Sequence, residues 1–160
     1  MADRMREALG KLLDRHQEQR VADLAREQKV KDDDARFLVR FQEIRRSVIR
    51  PVLESAAALL EERGHRCSIT EQEFVTGTAG RVGEASISLR LLPAGVKTLH
   101  EDRSSLAIST RHYNKTVWID SGDPASTSTG SGPKGAYPLD EITPQLVEDQ
   151  LLAFVGRVLA

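Results

Sequence analysis

The sequence SSLAISTRHYNKTVWIDS, residues 104–121, alternates apolar and polar side chains in two short runs. The apolar members of this alternation are Leu106, Ile108, Val117 and Ile119. A period of two is typical of a β-strand with one buried face. Asn114 and Lys115 separate the runs and predict a two-residue turn, because Asn tolerates positive φ. The stretch therefore predicts an antiparallel hairpin around which the other elements must be arranged.

A turn at Asn114–Lys115 also predicts which residues oppose each other on the second, more polar face of the hairpin. The predicted pairs are Arg111–Trp118, Ser109–Asp120 and Tyr113–Thr116. An Arg and a Trp in direct opposition can stack, which contributes about 0.5–1 kcal/mol at an exposed site. This face is therefore either ordinary cross-strand packing on a solvated sheet or a binding surface.

The composition is typical of a soluble globular protein. The chain has 160 residues, of which 39% are hydrophobic and 29% charged, which suits one domain with an appended element. A net charge of −1 gives no overall attraction to nucleic acid or to an anionic membrane. The single cysteine, Cys67, fits a reducing compartment. Since no signal peptide or apolar run of about 18 residues is found, we expect a cytoplasmic protein without a membrane partner.

Residues 1–34 are predicted to form a polar helical arm, because helix-forming residues dominate and no Pro interrupts them. The apolar stripe is thin and has no sustained heptad, which argues against a long coiled coil. The arm either helps the protein to self-associate or is simply solvated. Asp32, Asp33 and Asp34 are expected to cap the start of the next helix, because adjacent carboxylates diverge and hold metal poorly.

A core helix is predicted from about Ala35 to Arg63, where apolar residues recur at spacings of three and four. Pro51 must kink this helix or start a new one, because Pro lacks a backbone donor and clashes with the preceding turn. The opposite side is a secondary basic face formed by Arg36, Arg40, Arg46 and Arg50. This face could contact phosphates. The near-zero net charge instead favours ion pairs with acidic residues of the arm.

The predicted fold class is two-layer α+β. Strands are expected at residues 67–75 and 84–92 and in the two runs of the hairpin, and their short connections predict a four-stranded antiparallel meander. Thr143 and Pro144 are typical of the start of a C-terminal helix. We expect the core helix and this helix to cover one face of the sheet. The predicted domains are the arm, residues 1–34, and the α+β domain, residues 35–160.

Residues 121–138 are rich in Gly, Ser, Thr and Pro and predict a flexible loop. Within it, GSGPKG at residues 130–135 lacks the spacing of a phosphate-binding loop, and Pro133 has no N–H to donate. The more attractive functional interpretation is a loop that becomes ordered over a partner at the sheet face.

Nothing in the sequence predicts catalytic residues, a cofactor or a metal site. His65 and Cys67 lie two residues apart, but no further ligand accompanies them. A Ser-His-Asp set would require His112 and Asp120, which the strand alternation places on opposite faces of the sheet. Its serine would lie on a flexible loop, which is a poor mount for a nucleophile. The sequence therefore favours a protein that is not an enzyme.

The order helix, four strands, helix is similar to that of small two-layer chaperone and adaptor domains, such as bacterial secretion chaperones. The likeness is one of architecture and assigns no residue. Arg, Tyr and Trp, the residue types that dominate binding hot spots, converge on one sheet face. We therefore predict a protein- or peptide-binding adaptor module that acts as a homo-oligomer. Its predicted binding residues are Arg90, Ser109, Arg111, Tyr113, Trp118 and Asp120.

Three alternatives stay open at this point. A nucleic-acid-binding domain could use the same sheet face together with the arginines of the core helix, since open sheets hold single strands by aromatic stacking beside Arg. A small hydrolase could use the Gly- and Ser-rich loop. The sheet face could instead be the interface of a dimer.

Overall fold

The computed structural model describes residues 2–77, 81–96, 104–121 and 136–160. The helices are α1 (Ala2–Ile44), α2 (Arg50–Glu62) and α3 (Pro144–Leu159). A π-helical turn, Arg45–Ile49, separates α1 from α2, and a 3₁₀ turn, Leu139–Glu141, precedes α3. The strands are β1 (Arg66–Gln72), β2 (Val75–Thr76), β3 (Val82–Gly83), β4 (Ser86–Leu92), β5 (Ser105–Arg111), β6 (Thr116–Asp120) and β7 (Ala136–Pro138).

The chain forms two compact units, Met1–Arg36 and Phe37–Ala160. That the arm, residues 1–34, and the domain, residues 35–160, behave as separate domains stays a prediction. The first unit is helical and exposes its large apolar side chains. These side chains, between 49% and 65% exposed, are Met5, Leu9, Leu12, Leu13, Val21, Leu24 and Val30.

The predicted helix start at Asp32, Asp33 and Asp34 is wrong, because α1 passes through these residues without a break. Asp lowers helix propensity by only about 0.7 kcal/mol relative to Ala, and neither Gly nor Pro is nearby. Gln28 Nε2 also donates to Asp32 Oδ1 at 3.1 Å, an i, i+4 contact that supports the helix. The side chain of Asp32 therefore stabilises the middle of a helix rather than its start.

Pro51 interrupts the α-helix, as predicted. The interruption is the π-helical turn Arg45–Ile49, which lies just before the proline. Within that turn the N–H of Arg50 donates to the carbonyl of Arg45, five residues earlier. This wider spacing accommodates the missing donor and the ring of Pro51, which then occupies the first turn of α2. The apolar face of the helix consequently continues on both sides of the proline.

The α+β class is confirmed, with an antiparallel sheet in the order β1-β4-β5-β6-β7. Its first four strands form the predicted meander, and β2 and β3 form a separate two-stranded ribbon. The fifth strand, β7, lies in the segment predicted to be a loop. Tyr137 pairs with Val117 and packs against the core, and Pro138 is tolerated on an edge strand. Residues 122–135 of the predicted loop, including 130–135, lie outside the described residues.

Burial alternates along β4, β5 and β6, so that one face of the sheet forms the core. From this face Ile87, Ile108 and Val117 are fully buried. They share one cluster with Leu53 of α2 and with apolar residues of α3, such as Phe154. Both helices therefore pack on the same face, and the polar face of the sheet is the one that the candidate site residues occupy.

Candidate functional site

The hairpin turn is longer than predicted, which shifts the register of β5 and β6. Four residues, His112 to Lys115, connect the strands, and Arg111 pairs with Thr116. The predicted pairings Arg111–Trp118, Ser109–Asp120 and Tyr113–Thr116 are therefore wrong. Lys115, not Asn114, takes the left-handed conformation, with φ of 56°. Asn114 instead accepts a hydrogen bond at Oδ1 from Thr116 Oγ1 at 2.6 Å, which closes the turn.

The shift amounts to two residues, so the residues of β5 and β6 keep their predicted faces, whereas Tyr113 lies in the turn. Arg111 becomes the diagonal neighbour of Trp118, within reach of a long side chain. Its Cζ lies 4.1 Å from the centroid of the Trp118 ring, so the predicted stack forms in the new register. Arg111 Nη1 also donates to the hydroxyl of Tyr113 at 2.9 Å. Tyr113 itself is 64% exposed.

Arg111, Tyr113 and Trp118 thus form one group at the turn end of the sheet, which we call the hairpin cluster. The guanidinium is held by an aromatic ring and a hydroxyl, which reduces the conformational freedom that it would lose on binding. An Arg side chain has five N–H donors, and one hydrogen bond to Tyr113 leaves others for a carboxylate or a carbonyl. The cluster is therefore suited to binding a polar group beside an apolar one.

Ser109 lies directly opposite Trp118 and borders the hairpin cluster. Asp120 pairs with Ala107, one row from Trp118, and Arg90 pairs with Ser105, one row further along the same face. Successive cross-strand pairs on one face lie about 6.6–6.8 Å apart, so the row of Arg90 is about 13 Å from the row of Trp118. Five of the six predicted residues are therefore brought together at or beside the hairpin cluster, and Arg90 lies apart from them.

Small side chains cover the face between these two ends. Its central positions on β4 and β5 are Ser86, Ser88, Ser105, Ala107 and Ser109. Thr70 of β1 continues this surface, with its Oγ1 3.2 Å from Ser88 Oγ. Because the described side chains of β4 and β5 at these positions are small, a partner backbone could approach this strip closely.

Sequence reasoning missed the contact between Glu84 and His112. The Glu84 carboxylate is hydrogen-bonded to His112 Nδ1 and accepts from its backbone N–H at 3.2 Å. Thr110 Oγ1 donates to the same carboxylate at 3.3 Å. The rings of Phe74 and Tyr113 contact the imidazole edge-on, with centroids 5.0 and 5.9 Å away. Since 28 residues separate Glu84 from His112, no local pattern could have indicated the pair.

A carboxylate that binds Nδ1 orients an imidazole, as in many catalytic sites. In the described part of the chain, however, no three His, Cys, Asp or Glu side chains are placed to hold a metal ion. Nor does a described hydroxyl or thiol hydrogen-bond to the imidazole of His112 as a nucleophile would. The Glu84 carboxylate binds the first residue of the hairpin turn, and this contact links the turn to the residue just before β4.

The secondary basic face finds acidic partners within the α+β unit. Arg40 contacts Asp140 at 2.6 Å, and Arg50 contacts Glu54 and Glu71 at 2.6 and 3.0 Å. For Arg40 and Arg50 the prediction of partners in the N-terminal arm is therefore wrong, because closer carboxylates neutralise them. Hydrogen bonds to Glu54 and Glu71 raise the pKa of Arg50 above its ordinary value. Arg36 and Arg46 are exposed.

Arg45 differs from its neighbours because its side chain is only 8% exposed. It donates to the carbonyls of Gln72 and Ser86 at 3.1 and 3.3 Å and to Glu73 Oε1 at 2.6 Å. A buried Arg needs such partners, since an unpaired buried charge is costly. Arg45 thus ties the π-helical turn to the end of β1 and the start of β4.

The thiol of Cys67, the single cysteine, is half-buried. Burial raises the pKa of its thiol, and the nearby Glu61 carboxylate adds to the shift. A raised pKa lowers the thiolate fraction at neutral pH, and the thiolate is the reactive form.

Among the described helices, none is long and apolar enough to cross a membrane.

Comparisons of this chain with protein-family models, with curated proteins and with solved structures give no match.

Proposed function

We propose that this chain is a non-enzymatic protein- or peptide-binding module that acts as a homo-oligomer in the cytoplasm. The proposed binding surface is the polar face of the sheet, with the hairpin cluster as its anchor. The observation that carries the proposal is the position of Arg111 between the Trp118 ring and the Tyr113 hydroxyl. Arg, Tyr and Trp are enriched among residues that dominate binding energy, especially where they are held in place before binding.

The surface favours a partner segment with an acidic group and an adjoining apolar side chain. Arg111 would bind the acidic group, and the exposed ring of Tyr113 would contact the apolar one. The strip of small side chains between Ser86 and Ser105 would let the partner backbone lie close to the sheet. Asp120 would lie beside the middle of the segment, and Arg90 would contact its far end.

A nucleic-acid ligand is the second candidate, because a base could stack on Tyr113 beside the Arg111 guanidinium. The ion pairs of Arg40 and Arg50 argue against it, since paired arginines attract phosphate less. The dependence of binding affinity on salt concentration distinguishes the peptide ligand from the nucleic-acid ligand. Binding to a phosphate backbone weakens steeply with ionic strength because many charges are neutralised, whereas a peptide held by one ion pair at Arg111 and by apolar contacts weakens only modestly.

The test uses peptides selected on the immobilised full-length protein from a displayed random library, with binding measured by fluorescence anisotropy. We expect Arg111→Ala and Trp118→Ala each to weaken binding of a selected peptide by about tenfold or more. Arg46→Ala is the control, because Arg46 is an exposed Arg on the π-helical turn and is not part of the hairpin cluster. The affinity of Arg46→Ala for the selected peptide should stay within about twofold of that of the wild type. Equal binding by wild type, Arg111→Ala and Trp118→Ala would contradict the proposal.

A labelled oligo-dT strand is the second probe in the same experiment. The protein-binding proposal predicts weak binding that is insensitive to Arg111→Ala. Tight binding that is lost in Arg111→Ala and falls steeply with salt would replace the proposal by the nucleic-acid candidate.

A further inference from the structure

An apolar groove of about 520 Å³ runs between α2 and α3 in the unit Phe37–Ala160. Its walls include Val48, Pro51, Val52 and Ala56 on one side and Leu151 and Leu152 on the other. Leu59 and Leu152 border it and are 56% and 70% exposed. A groove between two helices with large apolar side chains at its borders is the geometry that accepts a third, amphipathic helix.

The length of the groove indicates how much helix it accepts. Its lining on the α2 side extends from Ser47 to Leu59. At 1.5 Å per residue this wall is about 18 Å long, which matches a helical segment of about 12 residues. Small side chains at Ser55 and Ala56 allow close approach of a second helix axis.

Helix α1 contains a segment with the matching pattern, Met5–His16. Met5, Leu9, Leu12 and Leu13 occupy positions i, i+4, i+7 and i+8, which lie on one face of a helix. All four are between 49% and 65% exposed. A stripe of this kind in a solvated helix gains stability mainly by packing against an apolar surface.

The charges around the two surfaces are complementary. At 100° per residue, Arg6 and Arg15 lie beside the apolar stripe of the segment, whereas its acidic residues fall on the opposite side. Glu148 is the charged residue among the described residues that line the groove. Residues 2–20 carry five basic and four acidic side chains, so an anionic lipid surface would attract the segment only weakly.

We propose that the groove between α2 and α3 binds the segment Met5–His16 of a second copy of this chain. A reciprocal exchange of the two segments gives a closed dimer with twofold symmetry. The contact is independent of the hairpin cluster and leaves the polar face of the sheet free for a different partner. The inference rests on the homo-oligomer of the proposed function and names the two surfaces that would form it, whereas the peptide-binding part of that function does not depend on it.

The proposal is tested by the oligomeric state of the full-length chain. Sedimentation over a concentration series measures it. We expect a dimer whose dissociation constant rises at least tenfold in Leu13→Glu and in Leu152→Glu. Leu24→Glu is the matched control, because Leu24 and Leu13 lie on the same helix and both are 59% exposed. Its dissociation constant should stay within about twofold of the wild type. Circular dichroism checks that each variant stays folded.

Mixing the two defective variants gives the more specific result. In a mixture of Leu13→Glu and Leu152→Glu, the intact segment of the second can enter the intact groove of the first. We therefore expect the mixture to form mixed dimers at concentrations at which each variant alone is monomeric. A monomeric wild type, a loss confined to Leu152→Glu, or failure of the mixture to dimerise would overturn the proposal. Peptide binding at Arg111 should be unchanged in both variants, which keeps this result separate from that of the proposed function.

Discussion

Arg111 illustrates at the residue scale how a diagonal neighbour can replace a directly opposed one. Its guanidinium reaches the Trp118 ring because the two residues are one cross-strand step apart on the same face. Trp118 is the single tryptophan of the chain, so selectively excited tryptophan emission reports on the surroundings of this ring. Substitutions in the hairpin cluster can therefore be followed by Trp118 emission without an added label.

The first residue-scale prediction concerns the strength of this stack. Arg111→Ala should lower the free energy of unfolding by about 0.5–1 kcal/mol, because a partly exposed cation–π contact is lost. Urea titration followed by Trp118 emission gives the value. A loss above about 2 kcal/mol would mean that Arg111 is a structural residue rather than one available for binding.

The second concerns Glu84, which satisfies the backbone N–H and the Nδ1 of His112 together. Glu84→Ala should cost about 1–3 kcal/mol of unfolding free energy, because partly buried groups lose their acceptor. Glu84→Gln keeps one carbonyl oxygen and should cost less. If both variants are as stable as the wild type, the carboxylate does not hold the turn.

The third residue-scale prediction concerns Cys67, whose thiol has a raised pKa because of its burial. A group with a higher pKa in the folded state stabilises the fold fully below its unfolded pKa. That stability is lost as pH rises through the folded value, so the contribution of Cys67 falls above about pH 9. Cys67→Ser should reduce this alkaline loss. Reaction with a thiol reagent at pH 8 should be slower in the native protein than in urea, and equal rates would contradict the assignment.

At the scale of elements, the π-helical turn joins the helical and sheet layers through Arg45. Arg45 donates to carbonyls on two different strands, so it fixes the helix against the ends of β1 and β4. Arg45→Ala should therefore destabilise the protein by about 2–3 kcal/mol, since hydrogen bonds made by a charged donor are lost. Arg46→Ala, one residue further along, should change stability by less than about 0.5 kcal/mol. Similar values for both variants in urea titrations would remove this role from Arg45.

The elements also show what the sequence could and could not predict. Alternation in residues 104–121 predicted the buried face of the hairpin correctly, because one polar and one apolar face permit a single orientation. The register was missed because the connection has four residues, His112 to Lys115, rather than the two that Asn114 and Lys115 suggested. Strand β7 was missed because three residues, AYP, are too short for a periodicity and follow a Gly- and Ser-rich stretch. The Glu84–His112 pair depends on tertiary folding and leaves no local signal.

At the scale of the whole molecule, the chain offers two surfaces of different character. The polar sheet face carries Arg111, Tyr113 and Trp118, whereas the groove between α2 and α3 is lined mainly by aliphatic residues. Proteins that both assemble and bind a partner need surfaces that do not compete with one another. The separation of these two surfaces is consistent with an assembling adaptor.

The measurement that decides between these surfaces is a map of backbone and indole amide shifts, recorded by NMR when a selected peptide is added to the full-length protein. Trp118 gives the single indole N–H resonance, so its shift is assigned without ambiguity. We predict that this resonance and the amides of Arg111 and Tyr113 move most. Shifts confined to the lining of the groove, such as Leu152 and Ala56, with the Trp118 indole unmoved, would contradict binding through the sheet face.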